Sequence, residues 1–164
     1  QNRVARFQMG RILAYQRSEM FLGYAYAGEK LRDLLLGLCV AYKPDLPHDG
    51  HPGTVNGWAD RFRQLPSVAL KRLQPLVNPA YQDLARGEAL EDYAKAVERT
   101  AMRAGLVSSG DLAQSFVALN EGPDGAFPLS VNERTQCLVR YFVSKDYSAI
   151  RRFTGVALLA SQEK

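Results

Sequence analysis

Apolar positions recur at helical spacing along nearly the whole chain, and alternation at strand spacing is weak. Residues 2–17 (NRVARFQMGRILAYQR) contain no proline. On a wheel of roughly 100° per residue, Val4, Phe7, Met9, Ile12, Leu13 and Tyr15 point in nearly all directions. A helix apolar on most sides is expected at the centre of its domain. Ser18 is placed to cap a long second helix, Glu19 to Tyr42, which Lys43-Pro44 ends because the residue before a proline avoids the α region. Residues 44–53 (PDLPHDGHPG) read as a loop. Thr54 is expected to cap a short helix through Gln64, and Pro66 to open the next, running to Val77. Asn78-Pro79 reads as a further break.

Glu88 to Val107 predicts a long helix with Leu90, Tyr93, Ala94, Val97, Ala101 and Ala104 on one stripe. Ser108-Ser109-Gly110 stops it, and Asp111 opens Leu112 to Asn120. A second loop, Glu121 to Leu129, holds Gly122-Pro123-Asp124-Gly125. Ser130 with Glu133 forms a capping box ahead of a helix that carries Cys137, Leu138, Tyr141 and Phe142. Ser144 caps the last helix, Lys145 to about Leu159. The expectation is an all-α fold: one helical domain over residues 1–164, with about seven or eight helices around one core.

Composition adds bounds. A chain of 164 residues suits one domain with a proper core. The longest apolar stretch, Leu34 to Tyr42, is too short for the ~20 residues of a membrane span. Gln1 leads straight into a charged amphipathic segment, so no signal peptide is expected, and the missing initiator Met suggests a piece of something longer. The two cysteines, Cys39 and Cys137, sit among apolar residues and read as buried reduced thiols, which points to the cytoplasm. The net charge of +4 permits acidic partners without demanding them. The densest basic run is only Arg61, Arg63, Lys71 and Arg72.

Candidate chemistry is sparse. Nucleophilic hydrolysis needs a base held by a third group, and the two histidines, His48 and His51, both lie in the Pro/Gly loop. With Asp45 they offer a weak divalent-ion site, short of the three or four ligands zinc takes; the plainer reading is a solvated turn. No phosphate-binding glycine motif is present. Gly10, Gly23, Gly28 and Gly37 read as close helix-packing positions. Arg3, Arg6, Arg11 and Arg17 fall within an arc of roughly 140° on the first helix, which could follow a nucleic-acid backbone, or could be a partly solvated face. Tyr24, Tyr26, Trp58 and Phe127 are candidate aromatic anchors for a protein partner.

Three segments together resemble a known family: Gly10 to Phe21 (GRILAYQRSEMF), Ala96 to Ala113 (AVERTAMRAGLVSSGDLA) and Tyr141 to Gly155 (YFVSKDYSAIRRFTG), with Leu34 to Pro47 fitting as well. The chain is similar to the C-terminal domain that follows tetratricopeptide repeats in certain bacterial proteins, a domain similar in turn to gluzincin metallopeptidases of the HtpX class. The resemblance is weakest over residues 48–87. It implies a degenerate peptidase site. The positions of the two zinc-binding imidazoles fall on Gly10 and Ala14, and that of the general base on Arg11. Glu98 remains where the third ligand would be, and Met102 replaces its acidic partner. It further implies that the Gly10/Ala14 strip faces Glu98 and Met102, with Arg11 or Arg103 compensating a buried Glu98. The family's peptidases begin with strands, so the chain would be the helical part of a larger α+β domain.

No catalytic residue, cofactor or metal is therefore expected. The first functional expectation is a non-catalytic protein-interaction or scaffold domain at the end of a tetratricopeptide-repeat protein, its partner unidentified. The alternative is a nucleic-acid-binding domain using the arginine face of the first helix. A third reading is an active metallopeptidase or a metal-binding relative.

Overall fold

The structure, a computed structural model, describes residues 2–26, 28–86, 89–120 and 129–155. Among these it is all-helical. The helices are α1 (Arg3–Tyr15), α2 (Ser18–Ala25), α3 (Glu29–Tyr42), α4 (Pro52–Arg63), α5 (Ser67–Leu73), α6 (Val77–Arg86), α7 (Ala89–Ser109), α8 (Leu112–Asn120), α9 (Val131–Phe142) and α10 (Lys145–Phe153), with a 3-10 turn at Gln74–Leu76. Phe127, the Gly122–Gly125 turn and the expected run of the last helix to Leu159 lie outside the described residues.

Several boundaries follow directly from side-chain chemistry. The Asn2 amide oxygen accepts from the Ala5 N–H at 3.0 Å and starts α1. Ser130 and Glu133 form the full capping box at α9. Ser144 Oγ accepts from the Tyr147 N–H and starts α10. Each satisfies a backbone donor that the first helical turn leaves unpaired.

Other boundaries correct the sequence reading. The long helix expected from Glu19 to Tyr42 is two helices, because Gly28 takes φ +57° at the start of α3. That backbone suits glycine and strains other residues, so Gly28 is a break and not a packing contact. Helix α4 starts at Pro52 with His51 as its N-cap, ahead of the Thr54 cap expected. Proline at the first helical position loses only an N–H that has no partner there. Asn78-Pro79 does not break the chain: both lie in the first turn of α6, where proline's missing donor costs nothing.

The helices divide into two compact units. One comprises Gln1–Phe21 with Lys95–Lys164, and the other Leu22–Ala94. The first has a core of Phe7, Met102, Leu106, Ala118, Leu119, Leu129, Leu138 and Tyr147. The second packs Leu36, Cys39, Val40, Val55, Ala59, Val77 and Leu84. In the second unit α3 and α4 cross closely at Gly37, where a Cβ would press on Trp58 and the Val55 carbonyl. Cys39 is buried, Cys137 half-buried, and both thiols are free. Burial raises the Cys39 pKa. Among the described residues no helix is long and apolar enough to cross a membrane.

Candidate functional site

The positions singled out by the family resemblance all lie in the first unit. Helix α1 packs on α7 through reciprocal notches. A Cβ on Gly10 would meet the Ser108 side chain and the Ala104 carbonyl, and a Cβ on Gly105 would meet the Phe7 ring and carbonyl. Gly10 therefore lies against Ala104 and Ser108. Ala14 is buried on the same helix, and Met102 is fully buried in the Phe7 core.

Glu98 and Arg11 are both buried, with a third charge, Arg134 of α9, alongside. Glu98 Oε2 accepts from the Leu129 N–H at 2.9 Å. Its other oxygen lies 3.9 Å from Arg134 Nε. Burial dominates and pushes the Glu98 carboxyl above its usual range, against the Leu129 N–H and the charges of Arg134 and Arg11, which favour the anion. Glu133 adds to the upward push. Arg134, which the sequence reading missed, therefore stands beside Glu98, and Arg11, which it named, also acts on the carboxylate. Arg103, named there as a partner, lies instead over the Tyr141 ring, 5.3 Å from its centroid. Arg11 adds charge from α1 and is held by its own helix: its guanidinium donates to Gln8 Oε1 at 3.4 Å and to the Tyr15 hydroxyl at 3.3 Å.

The burial of Arg11 overturns two expectations. The arginine face of α1 is not a continuous basic stripe, because Arg11 is turned into the core, Arg3 pairs with Asp111 at 3.1 Å and Arg17 pairs with Glu19. Nor is α1 a helix buried on most sides. Its buried face is Phe7, Gly10, Arg11, Ala14 and Tyr15. Met9, Ile12 and Leu13 are left 65%, 54% and 66% exposed. Their i, i+3, i+4 spacing gathers them on one face. Phe21 of α2 is also exposed. The wheel is apolar all round because one side builds the core and the other faces outward.

The histidine loop lies in the second unit and is more ordered than a solvated turn. Arg32 clamps both Asp49 carboxylate oxygens at 2.6 and 2.7 Å. Its neighbour Asp33 is buried and accepts twice from His51, from the backbone N–H and from ring Nδ1, each at 3.2 Å. Gly50 fits because a Cβ there would strike Asp33, Leu36 and Val55. The two imidazoles line different cavities: His48 with Arg32, Leu36 and Tyr81, His51 with Asp33, Tyr26 and Trp58. Asp45 is exposed. Among the described residues, no group of three or more His, Cys, Asp or Glu side chains is placed to hold a metal ion. Of the aromatic anchors expected, Tyr24 is exposed, while Tyr26 and Trp58 are half-buried against each other.

No protein-family model, no characterised protein and no solved structure gives a significant match to this chain.

Proposed function

We propose that this chain is a non-catalytic protein-interaction or scaffold domain, of the kind expected at the C-terminal end of a tetratricopeptide-repeat protein. The observation that carries the reading is the exposed apolar face of α1, Met9, Ile12 and Leu13, on a helix locked to α7 by the Gly10 and Gly105 notches. A contiguous exposed apolar face on a rigid element is a common mark of an interaction surface. A preformed helix also binds without the entropic cost of ordering it.

The non-catalytic part rests on residue chemistry. Glycine and alanine at positions 10 and 14 carry no metal-binding atom. Arg11, where the resemblance puts a general base, is a cation that proteins do not deprotonate. Glu98 is occupied in holding the Leu129 amide beside Arg134. The free thiols fit a reducing, cytoplasmic setting.

The nucleic-acid alternative is weakened by the burial of Arg11 and the ion pairs of Arg3 and Arg17. A gel shift at graded salt checks it, with no retention expected near physiological ionic strength. The interaction reading is tested with a photo-crosslinking amino acid at position 13, in cells that make the full chain. A discrete protein adduct is expected, and Ile12→Glu should abolish it. The same probe at exposed Asn132 on α9 should give no such adduct. Equal adducts from both positions, or indifference to Ile12→Glu, would remove the basis of the proposal.

A further inference from the structure

The cavity of about 430 Å3 between α3 and the start of α4 is lined by Tyr26, Glu29, Lys30, Asp33, His51, Thr54 and Trp58. Its volume falls within the roughly 300–1,000 Å3 of small-molecule sites. Its aromatic wall is fixed: Tyr26 and Trp58 meet edge to face at 87°, ring centroids 5.6 Å apart. Trp58 is held further by Phe62, with centroids 6.4 Å apart, and by Arg61, whose guanidinium lies 4.9 Å from the ring centroid. The backbone behind it is rigid, because Gly37 brings α3 against Trp58 and Val55.

The polar element is fixed as well. Asp33 is buried, with a side chain only 6% exposed, while the His51 side chain is 69% exposed. A carboxylate only accepts, so the contact at 3.2 Å assigns the proton to His51 Nδ1 in the neutral ring. The second contact, from the His51 N–H to Asp33 Oδ1, orients the backbone that carries the ring. The Nε2 lone pair is then the acceptor left to the solvent side. A buried carboxylate that sets the tautomer of an exposed imidazole is how proteins orient a histidine toward a ligand.

We propose that this cavity binds a small planar aromatic molecule bearing a hydroxyl or N–H group. The ring packs on Trp58 and Tyr26, and the donor is received by His51 Nε2. Asp33 acts as a positioning residue. This site is separate from the α1 face and does not rest on the interaction reading.

Trp58 is the one tryptophan of the chain, so its single indole N–H resonance reports the cavity. The full chain, labelled with nitrogen-15, is titrated with phenol and, separately, with anisole, which has the same ring but no donor. A saturable shift of the Trp58 indole peak with phenol is expected at millimolar concentration. Anisole should bind about five-fold or more weakly, as loss of one hydrogen bond implies. His51→Ala should lower phenol affinity to the anisole level, and His51→Gln, which keeps an acceptor, should recover part of it. Because His51 is exposed, neither variant should alter the fold, and an unchanged amide spectrum outside the cavity checks this. No indole shift with phenol overturns the proposal. So does equal binding of phenol and anisole, or binding unaffected by His51→Ala.

Discussion

Each unit contains a buried carboxylate that captures the backbone N–H of a residue leading into a helix. Glu98 holds Leu129, just before the Ser130 cap of α9, and Asp33 holds His51, the N-cap residue of α4. They differ in what meets the second oxygen. At Glu98 it is the guanidinium of Arg134, with both side chains about as buried as the core around them. At Asp33 it is an imidazole that is mostly exposed. The same device is therefore closed in one unit and open in the other. A closed carboxylate can only hold structure together. An open one can pass its orientation to a molecule arriving from solvent.

This difference predicts a graded set of effects. The largest is expected at Glu98. Glu98→Ala leaves the Leu129 N–H unpaired and takes away the buried carboxylate beside Arg134, a loss of roughly 3–5 kcal/mol. Urea unfolding checks it, and a loss under 1 kcal/mol would show that the site is wetter than its burial implies. Next is Gly10→Leu, which forces α1 off Ser108 and the Ala104 carbonyl and should cost about 1–3 kcal/mol of stability. Asp33→Ala orphans a half-buried N–H, but its imidazole partner can turn to water, so a loss of about 1–3 kcal/mol is expected, smaller than at Glu98. His51→Ala removes the ring partner of the buried Asp33 Oδ2 but keeps the backbone contact and opens that oxygen to water, so the smallest loss of the set, about 1 kcal/mol or less, is expected.

Glu98 also predicts a pH dependence. Its carboxyl is raised by burial above the usual value of 4.5, so the native state holds that proton more tightly than the unfolded chain. The stabilisation is fully present below about pH 4.5 and is lost as pH rises through the native pKa. Glu98→Gln removes this titration. The stability of the variant relative to the wild type should therefore rise with pH over that window. Parallel pH–stability curves for the two proteins would contradict the upward shift.

Much of the fold was legible because its signals are local. Asp111, the Ser130–Glu133 box and Ser144 each act on a backbone donor within a few residues, and α8, α9 and α10 begin where those side chains put them. Gly28 was misread because a helical run of apolar residues on either side masks a left-handed backbone. Helix α6 was missed because Asn-Pro is also a good first turn, and only the following residues decide which role it takes.

The site was less legible, for a different reason. A wheel apolar all round could not show that α1 buries Arg11 and leaves Ile12 outside, since that choice depends on Glu98 and the Ser108 notch, both distant in sequence. Arg134 gave no local sign that it would sit beside Glu98. The Asp33–His51 pair did leave a trace, a lone carboxylate inside the apolar run Leu31–Val40, which needs a partner when buried.

On the proposed reading, the outer face of α1 meets a partner, while the buried Glu98 cluster only supports the helices behind it. Adduct yield from a photo-crosslinker at position 13, compared among otherwise unaltered protein, Ile12→Glu and Glu98→Gln, tests it most directly. Ile12→Glu is expected to abolish the adduct and Glu98→Gln to leave it intact, in protein whose folding is confirmed by circular dichroism. Loss of the adduct in folded Glu98→Gln, with Ile12→Glu unaffected, would contradict it.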